Sequence, residues 1–298
     1  MYRHVKELQF EARPAHPDAV FAAKIQELVG GQFGEMSVMM QYLFQGWNCR
    51  VPGKYKDMIL DIGTEEIGHV EMLSTMIARL LEGAPNEVVA DAAAGNPALA
   101  AVLGGMNVQH AIISGGGALP ANSQGVPWNA GYIVASGNLM TDFRSNVHAE
   151  AQSRLQTSRI FNMTDDPGVK GMLTFNLARD TFHQQQWLRG IEELVADGLS
   201  DVIEDSNAEN EDADQARTYW NLHEGSAGVQ GSWAQGRTLV TDQEIRVHSM
   251  EPASTDDGTP PPPDPSLYST YDGSLGKPTS GEPKPTQSLA SKVKKALD

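Results

Sequence analysis

Two acid-x-x-His pairs, Glu66/His69 and Asp180/His183, have the residue types and spacing of a metal centre. On a helix, side chains three apart point the same way, so each pair offers a carboxylate and an imidazole together. One such pair is expected about once by chance at this composition, so a pair alone is weak. The surroundings carry more weight. Ile59, Ile62, Leu73, Met76 and Leu80 recur at helical steps on the face that holds Glu66 and His69. A carboxylate and an imidazole placed in an apolar stripe are costly to desolvate unless something inside pairs with them. A metal ion does so.

The elements that position them read as four long helices. Asp18 is a plausible N-cap for a first helix reaching Gly46–Asn48, with the stripe Phe21, Ile25, Leu28, Gln32, Glu35, Met39, Tyr42. Asp57–Leu81 lies in the second, after a loop marked by Pro52 and Gly53. The third is expected from about Ala130 to Met163, its stripe of Leu139, Phe143, Val147, Glu150, Arg154 and Phe161 again interrupted by an acid. Asp165 or Asp166, with Pro167 at the first helical position, opens a fourth that ends near Gly198. On it Leu173, Asn176, Asp180, His183, Trp187, Ile191 and Leu194 share a face. Each helix thus places a carboxylate among core positions, in the order Glu35, Glu66/His69, Glu150, Asp180/His183. Bundles that hold two adjacent metals take one Glu from each of two helices and Glu-x-x-His from each of the other two. Oxygen-rich ligands with one imidazole per metal suit manganese or iron better than zinc or copper. Tyr42 is expected to bond a ligand carboxylate from outside the ligand set. Gly31, Gly34, Gly63 and Gly68 cluster at the same level, as close backbone approach or room for a small substrate would require.

The organisation follows: an arm over 1–17, an all-α four-helix bundle of ferritin-like connectivity over 18–199, and an extended Pro/Gly-rich C-terminal tail over 200–298. About 83–130 is dense in Gly, Pro and Asn and too long for a hairpin, so it is expected to cross between distant ends of the bundle. The stretch 229–248 suggests a short strand or two. The tail is either disordered or, through Tyr219, Trp220, Trp233, Tyr268 and Tyr271, wrapped over another subunit. A net charge of −16 argues against nucleic acid and anionic membranes as partners. The single cysteine, Cys49, excludes an internal disulfide framework, and no run is long enough for a signal peptide or membrane span. The expected location is cytoplasmic.

The segments GQFGEMSVMMQYLFQ and DIGTEEIGHVEML, the Gly/Pro-rich crossover and the long tail resemble the manganese catalases. The resemblance implies two manganese ions with bridging solvent. Glu66 would bridge them, with Glu35 and His69 on one ion and Glu150 and His183 on the other. It also implies a homohexamer held by embracing tails, with hydrogen peroxide as the small-molecule substrate. An additional structural cation such as calcium is a further expectation. Two positions depart from the family pattern. Asp180 stands where a Glu often lies beside the last histidine, and Ala149 where some relatives carry Arg, for which Arg144 or Arg154 would have to substitute.

The reaction implied is dismutation of hydrogen peroxide to water and dioxygen, the metals cycling between paired +2 and paired +3 states. Asp180 is the expected catalytic acid/base, and Glu35 the alternative. Two rival readings stand beside it, a di-iron ferritin-like peroxidase or ferroxidase and a non-catalytic shell or coat protein.

Overall fold

Asp18 accepts from the Phe21 amide and opens α1, Ala19–Gly30. The computed structural model describes residues 3–83, 106–203, 210–223, 225–249 and 258–260. The single first helix expected from the sequence is two helices. The backbone turns extended at Gly31 and Gly34, and α2 restarts as Glu35–Asn48. A Cβ on Gly31 would stand 2.5 Å from the Glu27 carbonyl oxygen, and one on Gly34 2.8 Å from that of Leu28. Only glycine lets the chain double back this tightly. The break makes Glu35 the first residue of a helix, where a carboxylate is favoured by the helix dipole.

Next come α3, Lys54–Leu80, and α4, Leu139–Phe161. The third expected helix therefore begins nine residues later than Ala130, because Gly137 takes φ +81° and the Asn138 side chain caps the Thr141 amide. Then α5, Pro167–Ala196, starts as expected, with Asp166 capping the amides of Gly168 and Val169. Short connections make α2 and α3 one helical hairpin and α4 and α5 another, and together they form the all-α ferritin-like bundle.

Of the expected crossover, 84–105 lies outside the described residues. The described part is pinned to α1 by Gln26, whose Nε2 donates to the carbonyls of Leu119 and Ala121 at 2.6 and 2.7 Å. The arm, without regular structure in its described residues, is stitched to the bundle. Ala15 N–H donates to Asp166, Arg79 donates to the Ala12 carbonyl, and the Phe10 ring stacks on Phe175. In the tail, β1, Thr218–Asn221, pairs in parallel with β2, Arg246–Ser249. Only β2 falls in the stretch where a strand was expected. Tyr268 and Tyr271 lie outside the described residues.

The core is two apolar clusters. One gathers Phe21, Ile25, Leu28, Met72, Met76, Met172 and Leu173. The other gathers Tyr42, Ile59, Ile62, Phe143, Trp187 and Leu194. Along every long helix the residues between the clusters are polar and buried: Glu35, Glu66 and His69, Glu150 and Ser153, Asn176, Asp180 and His183. The bundle is a sandwich of oil around one charged layer.

Candidate metal centre

Glu66 and His69 come from the middle of α3, Asp180 and His183 from the middle of α5, Glu35 from the start of α2 and Glu150 from α4. All six residues are at most 1 % exposed. The Nδ1 atom of His69 lies 2.6 Å from Glu66 Oε2 and 3.5 Å from Glu35 Oε2. The Nδ1 atom of His183 lies 2.7 Å from Glu66 Oε1 and 3.9 Å from Glu150 Oε1. Two groups of three result, Glu35/Glu66/His69 and Glu66/Glu150/His183, with ligating atoms within 4.8 Å of one another in each. Glu66 belongs to both. No third such group exists among the described residues, so an additional cation has no side-chain cage there.

Despite these short distances, both Glu66 oxygens and both Nδ1 atoms lack a partner in hydrogen-bonding geometry. Buried polar atoms in that condition are rare and costly unless something else satisfies them. In each group the ligating atoms lie within 4.8 Å of one another, close enough to share one cation. Five carboxylate and imidazole ligands with oxygen in the majority suit manganese or iron. The residues present fit a binuclear centre.

The electrostatics show how strained the layer is without one. Burial pushes Glu66 up, but His69 and His183 outweigh it and hold the carboxyl well below its ordinary value. Burial opposes charge on the imidazoles, yet the surrounding carboxylates raise His69 well above normal and His183 to about 10. The remaining acids go the other way. Burial raises Glu35, lifts Glu150 to about 8 and raises Asp180 well above normal, helped by neighbouring carboxylates. Without a metal the layer favours an ionised Glu66, protonated imidazoles, and the protonated form of Glu35, Glu150 and Asp180.

Around the ligands, the Tyr42 hydroxyl donates to Glu150 Oε1 at 2.6 Å. Asn176 Nδ2 donates to Glu35 Oε1 at 2.9 Å and to Asp180 Oδ1 at 3.0 Å, joining an acid of each helical hairpin. Ser153 Oγ donates to Asp180 Oδ2 at 3.4 Å. Arg144 does not join this group: it donates to the carbonyl of Val202, beyond the end of α5. Arg154 donates to Gln184 at 2.8 Å.

Glu65 is absent from the residues singled out by spacing. It lies behind both imidazoles, Oε2 at 3.1 Å from His183 Nε2 and Oε1 at 3.7 Å from His69 Nε2. Arg179 grips it with two hydrogen bonds, Nε to Oε1 at 2.6 Å and Nη2 to Oε2 at 3.1 Å, and Gln9 of the arm adds one to Oε1 at 3.0 Å. Asn176 and Ser153 were likewise given no role, although Asn176 sits in the α5 stripe. A Glu-Glu step facing an Arg-Asp step was the available signal for Glu65 and Arg179.

The family model for manganese-containing catalase matches residues 1–270. A Bacillus subtilis protein named manganese catalase is 62 % identical over 196 residues, 66 % of this chain and 71 % of that protein. One of that name from Lactiplantibacillus plantarum is 41 % identical over 249 residues, 82 % of this chain and 91 % of its own. The crystal structure of KatB, a manganese catalase from Anabaena, superposes with a TM-score of 0.67 at 24 % identity, covering 85 % of this chain and all of KatB. With the family model matching the arm, the bundle and most of the tail, the chain belongs to the manganese-containing catalase family.

Proposed function

We propose that Glu66 bridges two manganese ions, with Glu35 and His69 completing one position and Glu150 and His183 the other. The observation that carries this assignment is the pair of Glu66 oxygens, each turned to the Nδ1 of a different histidine and neither satisfied by a hydrogen bond. The chain is a manganese catalase and dismutates hydrogen peroxide to water and dioxygen. When bound by these residues, two manganese ions would supply a two-electron store, with paired +2 and paired +3 as its two states.

The protein's own residues handle the protons. One peroxide releases two protons and two electrons as dioxygen forms, and the next takes up two of each to become two waters. Burial first, and the neighbouring carboxylates of Glu35 and Glu150 next, raise Asp180 well above the ordinary carboxyl value and favour its protonated form. In the proposed scheme it holds and returns a proton beside the ligands, a role for which general acid–base groups contribute on the order of 10²–10⁴ in rate. Asn176 is the link: a proton shift on Asp180 is felt at Glu35 through one amide. Ser153 anchors the other Asp180 oxygen. Tyr42 fixes Glu150 from outside the ligand set. The apolar clusters above and below exclude bulk water from the layer.

A homohexamer with embracing tails and a cytoplasmic location belong to the same proposal. The single cysteine supports a reducing compartment, and no described helix is long and apolar enough to cross a membrane. Metal analysis of protein from cells supplied with manganese and iron tests the ligand assignment. About two manganese ions per subunit are expected from a bundle of this ligand order, and substitution of either histidine by Ala should remove one. Iron in the purified protein, or two manganese ions retained by both His→Ala variants, overturns it.

A further inference from the structure

His69 and His183 use their Nδ1 atoms toward Glu66, so each must carry its proton on Nε2 when it ligates an ion. Both Nε2 atoms are buried and have no hydrogen-bond partner in good geometry, and each faces an oxygen of the same residue, Glu65, at 3.1 Å from His183 and 3.7 Å from His69. One carboxylate therefore backs two imidazoles on two different helices. Its own placement is fixed independently by the Arg179 fork and by Gln9.

We infer that Glu65 is the positioning residue that sets the tautomer of both ligand histidines, and so readies the two metal positions at once. A carboxylate does this because both of its oxygens are acceptors. An amide has one acceptor and one donor, so Glu65→Gln cannot serve both rings.

The asymmetry of the surroundings says which ring fails. Oε1 receives two donors, from Arg179 Nε and Gln9 Nε2, whereas Oε2 receives one, from Arg179 Nη2. The glutamine oxygen stays at the doubly bonded Oε1 place, and its NH2 takes the Oε2 place, facing His183 Nε2. That ring must then accept on Nε2 and carry its proton on Nδ1, where a ligand lone pair is needed. The position formed by Glu66, Glu150 and His183 is lost first; the one served by His69 remains. Substituting such an outer partner typically lowers metal affinity 10–100-fold.

This inference rests on the dimetal assignment above, and the experiment separates the two. Full-length protein loaded with manganese is dialysed against a chelator, and retained metal is counted alongside the electron paramagnetic resonance spectrum. Wild type and Glu65→Asp are expected to keep two ions with the spectrum of a coupled pair. Glu65→Gln is expected to keep one, with the six-line spectrum of isolated Mn(II). Adding His183→Ala to Glu65→Gln then removes nothing more, while adding His69→Ala removes the remaining ion. Arg179→Gln, on a half-exposed side chain, leaves the carboxylate but loosens it, so both ions are retained less well by similar factors. Two tightly held ions in Glu65→Gln, or unchanged retention in Arg179→Gln, overturns the role of Glu65 while leaving the dimetal assignment standing. Fewer than two ions in wild type overturns both.

Discussion

The imidazoles of His69 and His183 stack with centroids 5.7 Å apart and planes 23° from parallel, each with Nδ1 on a different oxygen of Glu66. Two helices that belong to different hairpins are thereby held to one carboxylate. Removing that carboxylate should abolish both metal positions together. Glu66→Ala is expected to retain neither ion after dialysis against a chelator, a result readable by metal analysis. Retention of one full equivalent would show that Glu66 serves a single ion.

Asp180 touches the ligand layer through Asn176, not directly through Glu66. Asp180→Asn keeps the shape and removes the ionisable group. Turnover should fall by roughly 10²-fold or more while manganese content stays near that of wild type. Loss of both ions in this variant would make Asp180 a ligand and change its role.

Metal uptake should be steeply pH-dependent. In the metal-free protein burial lifts Glu35 and takes Glu150 to about 8, while carboxylates overcome burial to raise His69 and take His183 to about 10. Glu150 and both imidazoles hold protons at pH 7, the upward shift of Glu35 favours its protonated form too, and ligation needs these protons gone. Loading should release protons at pH 7, from Glu150 and both imidazoles at least, and affinity should rise with pH through the neutral range. A pH indicator in weakly buffered protein reads the release. Uptake with no proton release contradicts the protonation pattern.

Asp166 caps α5 and also holds the arm, through the amides of Ala15 and His16. Burial would raise its carboxyl, but these four backbone donors prevail and lower it. A lowered folded-state value means the stabilisation is fully present above the ordinary Asp value of about 4 and fades as pH falls through the lowered one. Asp166→Ala should cost about 1–2 kcal/mol at pH 7, and the gap from wild type should narrow in strong acid. Thermal unfolding at the two pH values checks this; a gap that widens in acid has the wrong sign.

The interior acids were legible because each interrupts an apolar stripe on its own helix, a pattern that needs no knowledge of neighbours. The start of α5 was legible for a similar reason, since its cap and Pro167 are local. The break at 31–34 was not. Four residues are close to one helical turn, so the stripe from Phe21 to Tyr42 stays in phase across the gap as though the helix ran on. Of the two expectations for the glycines there, close backbone approach or room for a small substrate, Gly31 and Gly34 meet the first, and that approach allows the turn. Glu65 escaped because it lies on the half-exposed shoulder of α3, where an acid is unremarkable in sequence. Its partners Arg179 and Gln9 are more than fifty residues away and meet it only in the folded chain. Arg144, expected with Arg154 as a substitute for the Arg that some relatives carry at 149, meets Val202 instead, a contact set by the chain beyond α5.

Oxygen evolution tests the central claim most directly. Hydrogen peroxide is added to protein purified from manganese-supplied cells, with azide present to silence contaminating haem catalase. Prompt, azide-resistant oxygen release in proportion to bound manganese is the expected result, with one dioxygen per two peroxides consumed. No gas from protein with both positions full of manganese would contradict it and return the weight to a di-iron or non-catalytic bundle.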